Sequence, residues 1–157
     1  MKNLLLATVA SLSLAAPGFA SGTHNDGHGE QLEIGVPGEA EQVSRTVKVS
    51  MKETDDGDMV FEPAELSFAK GETVRLEITN MGESEHEFVL DTVERNVTHK
   101  ELMAKIDMEH DDPNSVRLDA GASGEIIWTF SNAGTFEFAC LIPGHYESGM
   151  FGPVNVN

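Results

Sequence analysis

The sequence predicts an all-β chain folded as two packed sheets of short strands, with one short helix inserted between strands. Three observations carry this. Apolar and polar residues alternate in several short runs, turn signals rich in Gly, Asn and Asp separate those runs, and one stretch abandons the period of two for a helical spacing. About seven such strands with regular turns fit a β-sandwich better than a layered α/β arrangement. Neither an internal repeat nor a glycine-rich phosphate loop interrupts the pattern.

The first alternating run sets Val43, Arg45, Val47 and Val49 against Ser44, Thr46, Lys48 and Ser50, and Asp55-Asp56-Gly57-Asp58 turns the chain after it. Leu66 and Phe68 flank Ser67 in a second short strand, and Lys70-Gly71-Glu72 makes the next turn. Val74, Leu76 and Ile78 then share one face of a strand over Thr73 to Thr79. His86, Phe88 and Leu90 share a face of the following strand, which points an imidazole to the same side as core residues. After Val97 a helix is expected, because Thr98-His99-Lys100-Glu101 has capping-box form and Leu102, Met103 and Ile106 would give it an apolar face. Asp111-Asp112-Pro113 ends that excursion. Ile126, Trp128 and Phe130 face inward in the next strand, Ser131 to Gly134 turns, and Phe136, Phe138 and Cys140 continue at period two. Pro153 to Val156 can close the sheet as a terminal strand.

The start of the chain reads differently. Met1-Lys2-Asn3 precedes an apolar run from Leu4 to Ala16, and Gly18-Phe19-Ala20 has the small-x-small form of a cleavage site. The expectation is a signal peptide over 1–20, a flexible His-containing lead over 21–42, and one folded domain over 43–157. The apolar run is short for a membrane span, so the mature chain is expected to be exported, to a bacterial periplasm, with no membrane anchor. The formal net charge is −17, and without Lys2 nine basic side chains face 27 acidic ones, giving −18. Such a surface repels nucleic acid and anionic membranes. It serves solubility, and it would equally attract cations or a basic redox partner.

Chemistry concentrates near the end, in Phe136-Glu137-Phe138-Ala139-Cys140-Leu141-Ile142-Pro143-Gly144-His145-Tyr146-Glu147-Ser148-Gly149-Met150. A lone Cys is most often an inert core residue, a lone Met usually fills space, and a lone His usually sits at a surface. The three together on one loop form a soft ligand set, and one more imidazole would complete a trigonal Cys-His-His site with a weak axial Met. His86 is placed to supply it. A structural zinc site favours four strong N or S ligands, and this chain has one Cys; copper suits the set better. An exported protein with a single Cys can form no internal disulfide, and burial or a metal would protect that thiol.

Taken together, these residues resemble the cupredoxins, the small copper proteins that include plastocyanin, azurin and pseudoazurin. The resemblance covers most of the chain after Val43. Phe61-x-Pro63-x-x-Leu66-x-Phe68 and Gly71-Glu72-Thr73-Val74 are similar to the family's early strands, and Asn80-x5-His86 to its first ligand segment. Cys140-x4-His145-x4-Met150 is similar to its ligand loop and is the most specific of these motifs. The resemblance implies a Greek-key β-sandwich of the cupredoxin type. It also implies one type 1 copper per chain, with His86, Cys140 and His145 as equatorial ligands and Met150 axial. A dinuclear centre would need a second Cys, and a trinuclear cluster would need His-x-His pairs that this chain lacks. One departure stands out: Glu87 follows His86 where many family members carry an Asn that ties the two ligand segments together.

The lead and the scattered methionines look similar to periplasmic cupredoxins of copper tolerance. Met51, Met59, Met81, Met103 and Met108, with His24, His28, His99 and His110, are spare soft or borderline ligands, and Met108-Glu109-His110 is the tightest local group. They raise a weaker auxiliary copper site as an alternative to core packing and a solvated tail. Two functions follow: copper handling that serves tolerance through Cu(I)/Cu(II) cycling, or one-electron transfer between periplasmic redox proteins. An enzyme would need a substrate site, and the sequence marks none. Pro143, Gly144, Tyr146 and Phe151 are expected to surround His145 as a docking surface for a redox partner protein.

Overall fold

A computed structural model describes residues 31–105 and 112–157. The expected signal peptide, His24, His28, Ile106, Met108 and His110 lie outside the described residues. Ten strands and one α-helix are present among those described: β1 (Val36–Pro37), β2 (Arg45–Glu53), β3 (Met59–Glu62), β4 (Leu66–Phe68), β5 (Thr73–Asn80), β6 (His86–Asp91), α1 (Val93–Met103), β7 (Ser115–Leu118), β8 (Ser123–Thr129), β9 (Gly134–Ala139) and β10 (Phe151–Val156).

The strands form two five-stranded sheets, ordered β1-β8-β5-β2-β3 and β4-β10-β9-β6-β7. Most neighbours are antiparallel. The β2–β5 and β4–β10 pairs run parallel, because the chain crosses from one sheet to the other between them. The alternation dictates which face is buried. Val49 and Met51 of β2, Val74, Leu76 and Ile78 of β5, and Ile126 and Trp128 of β8 face Phe88, Leu90, Phe136 and Phe138 of the second sheet in one core cluster. Each such side chain contributes about 1.5–3 kcal/mol on leaving water. The Phe61 ring packs edge-on to Phe88 and Phe138, with centroids 5.7 and 5.0 Å apart.

Two expectations need correction. The lead expected to be flexible to residue 42 is folded from Leu32. Leu32 bridges Gly35, β1 pairs with β8 through Val36↔Thr129 and Pro37↔Trp128, and Ile34 is fully buried. Gly35 has φ +146°, and a Cβ there would run into the Thr129 carbonyl oxygen, so only glycine lets the chain lie so close to β8. Pro37 takes an edge position, where its missing N–H costs nothing.

The helix also begins earlier than its capping-box form suggests. Thr92 is the N-cap, with its side chain accepting from Arg95 N at 3.2 Å. Thr98 sits inside the helix, its hydroxyl donating to the Glu94 carbonyl at 3.0 Å. The expected apolar face is also incomplete: Met103 is buried, but Leu102 is 45 % exposed. The helix instead buries Asn96, whose Nδ2 donates to Glu137 Oε1 of β9 at 3.0 Å. That contact places α1 over the outer side of β6 and β9, which is why all six residues of β6 are buried.

Candidate metal centre

Two adjacent strands of the second sheet deliver the predicted ligands. His86 opens β6, and Cys140 directly follows β9, whose residues pair with β6 through Val89↔Ala139 and Leu90↔Phe138. Cys140 N donates to Met150 O at 3.0 Å, which continues the β9–β10 ladder by one residue and closes the loop between them. Inside that loop, His145 N donates to Ile142 O at 3.0 Å and Met150 N to His145 O at 3.1 Å. These tight turns fold His145 back over Cys140.

The donor atoms of His86, Cys140 and His145 all lie within 4.8 Å of one another. His86 Nδ1 and His145 Nδ1 are 3.2 Å apart, and Cys140 Sγ is 3.3 Å from His145 Nδ1. His86, Cys140 and Met150 are fully buried, and His145 is partly exposed. Met150 belongs to the same apolar cluster as Cys140. Thus the structure gathers three of the four predicted residues at one point and packs the fourth into the core beside them.

The electrostatics suit a metal. Burial pushes the Cys140 thiol up to about 12, against the backbone N–H groups of Glu87 and Ile142, which favour the thiolate. A proton held that firmly leaves only when a cation replaces it, as a coordinated thiol does. Burial, and then the neighbouring His86, lower the His145 pKa. That keeps the imidazole neutral, the form that binds metal. The backbone N–H of Glu87 donates to Cys140 Sγ at 3.3 Å. The bond from the residue after the first histidine to the sulfur is therefore made by the main chain, and Glu in place of Asn does not abolish it.

The segment before His86 is held from both sides. Asn80, fully buried, donates through Nδ2 to Ser84 O at 2.8 Å and Leu118 O at 2.9 Å, and its Oδ1 accepts from Gly82 N at 2.9 Å. Glu53, at the end of β2, accepts from Ser84 N at 3.0 Å and Glu83 N at 2.9 Å. Burial would raise the Glu53 carboxyl, but these bonds and the Ser84 side chain outweigh it and hold the group down at about 2. The same carboxylate lies 3.2 Å from His86 Nε2. Sequence reading missed Glu53 because it ends an alternating strand beside an acidic turn, where a carboxylate reads as solvated.

The residues expected to surround His145 differ in exposure. Pro143 and Gly144 are exposed and Phe151 is 46 % exposed. Tyr146 instead packs on Val89, Ala139 and Leu141, stacks on Phe151 at 4.7 Å and donates to Glu137 Oε2 at 3.2 Å. Lys100 of α1 lies 4.5 Å over its ring and pairs with Glu147 at 2.7 Å. The helix thereby anchors the ligand loop from outside. Of the spare methionines, Met51 is fully buried in the core and Met103 is buried at the end of α1, while Met81 is 67 % exposed.

Comparison with known proteins decides the family. The copper-binding proteins of the plastocyanin/azurin family match residues 47–157. The chain belongs to that family. It is similar to the copper-resistant cuproprotein CopI of Rubrivivax gelatinosus, at 45 % identity over 99 % of both chains. The CopI cuproprotein of Pseudomonas aeruginosa is 36 % identical, over 87 % of this chain and 88 % of that one. The structure resembles that of auracyanin B, with a TM-score of 0.60 and 25 % identity over 73 % of this chain and 90 % of that one. Copper is the cofactor of this family, and the donor set fits it: two imidazoles and a buried thiol converge, largely shielded from water, and Met150 is buried in the same core cluster as Cys140.

Proposed function

We propose that this cupredoxin is an exported, periplasmic protein that holds one type 1 copper and cycles it between Cu(I) and Cu(II) in the service of copper tolerance. His86 and His145 would bind through Nδ1, Cys140 through Sγ, and Met150 as the weak axial ligand. The observation that carries the reading is the convergence of the first three donors within 4.8 Å. Bound there, copper supplies a one-electron couple.

The chain's own part is to keep the geometry fixed and the water out. Asn80 fixes the segment leading to His86, the turns of the loop fix His145, and the Glu87 N–H steadies the sulfur. His145 is the partly exposed member of the set, so it is the route by which an electron enters or leaves. The tolerance role is supported by relatives named copper-resistant cuproproteins along nearly the whole chain. Among the described residues no helix is long and apolar enough to cross a membrane. We read it as a binding and redox protein, not an enzyme.

A second reading, one-electron transfer between periplasmic redox proteins, is favoured by the exposed Phe151 next to the ligand loop, which suits a small, transient contact. Deleting the gene separates the two. Tolerance requires sensitivity to copper salts, normal growth at low copper, and no rescue by Cys140→Ser. Normal copper tolerance with loss of a respiratory activity would instead establish the electron-carrier role.

A further inference from the structure

We propose that Glu53 is a positioning and tuning residue of the copper centre, acting on the far nitrogen of His86; this rests on the reading of His86 as a ligand through Nδ1. Nδ1 faces the other donors, 3.2 Å from His145 Nδ1. An imidazole that binds metal through one nitrogen carries its proton on the other, and that N–H needs an acceptor. His86 is fully buried, and Nε2 makes no hydrogen bond in this structure. A buried donor left in that state is destabilising. Glu53 Oε1 lies 3.2 Å from it, so a small rotation of either side chain closes the bond.

The surroundings are built for that contact. Glu53 is aimed by two backbone donors, Ser84 N onto Oε1 and Glu83 N onto Oε2, both on the segment that leads into His86. A Cβ on Gly82 would collide with Glu53 Oε2 and sit 3.0 Å from His86 Nε2. Glycine at that position therefore leaves room for the carboxylate to reach the ring. Glu53 also belongs to β2, in the opposite sheet from β6, so the contact ties the ligand to both layers of the sandwich.

A carboxylate accepting from a metal-bound imidazole makes that ligand more basic and puts a negative charge near the metal. Both effects favour Cu(II) over Cu(I) and lower the reduction potential.

The test uses the full mature chain loaded with copper, as wild type, Glu53→Gln, Glu53→Ala and, as a charge control on the same segment, Glu83→Gln. Both Glu53 variants should keep the thiolate-to-copper absorption, show a raised reduction potential, and bind copper about 10–100-fold more weakly. In the diamagnetic Cu(I) form, nitrogen-edited proton spectra should show a slowly exchanging His86 Nε2–H in wild type. Its exchange should speed up in Glu53→Ala and shift part-way in Glu53→Gln, which retains one acceptor oxygen. Glu83→Gln should leave that resonance in place. Intact absorption with unchanged potential and unchanged Nε2–H exchange in both Glu53 variants would overturn this inference alone. Equal effects from Glu83→Gln would also overturn it, by assigning them to net charge. A wild-type chain without the absorption band would overturn the ligand reading and this inference with it.

Discussion

Each of the four proposed ligands has a different residue doing the work of holding it. Cys140 is held by strand pairing and the Glu87 N–H, His86 by Asn80, His145 by the turns of its own loop, and Met150 by core packing. Met150 is fully buried in the core and tied to Cys140 and His145 through its backbone. Met150→Leu should keep both the fold and coloured copper, since the leucine fills nearly the same volume. Losing the weak thioether donor removes some support for Cu(II), so the reduction potential should rise; voltammetry on the two proteins checks this. Loss of all copper would make Met150 a principal ligand. His86, Cys140 and His145 were legible in the sequence because their chemistry is rare and two of them share one loop. Glu53 was not, because its role arises only when β2 and the segment before β6 come together, more than 30 residues apart.

At the scale of elements, β1 and α1 were misread for physical reasons. Leu32, Ile34 and Val36 do alternate, but the run is brief and its neighbours are Gly and Glu, so it resembles tail more than strand. Because Ile34 is fully buried, Ile34→Ala should cost roughly 2–4 kcal/mol of stability, whereas a flexible lead would make the change neutral in a denaturant melt. The helix misled in the opposite direction. Thr98 has the form of a cap, but α1 buries the polar Asn96 against Glu137 and carries no strong apolar stripe to mark its true start. Thr92→Ala should lower stability by about 1 kcal/mol, and Thr98→Ala, inside the helix, should cost far less. The reverse order in thermal melts would put the cap back at Thr98. The core strands β5, β8 and β9 were plain in the sequence, since a strict period of two over large apolar residues admits few other solutions.

At the scale of the molecule, pH acts through two kinds of group. Arg45 hydrogen-bonds Glu72 and holds its carboxyl below the ordinary value of 4.5, against the opposing effect of burial. A depressed folded pKa adds stability above the unfolded value and loses it as pH falls through the lower folded one. Acid should therefore weaken the fold only below the ordinary carboxylate range. Copper release has its own window. His145 titrates below its ordinary 6.5 because burial and His86 disfavour its charge, so protons should displace copper only under more acidic conditions than a free imidazole would allow. A pH titration followed by the visible absorption checks this, and release already at neutral pH would contradict it.

The central claim is that the buried Cys140 sulfur binds the copper, and the visible spectrum tests it most directly. The purified, copper-loaded wild-type protein should show intense thiolate-to-copper charge-transfer absorption at one copper per chain, and Cys140→Ser should abolish that absorption while the chain stays folded. A folded Cys140→Ser protein with the wild-type spectrum would contradict the account.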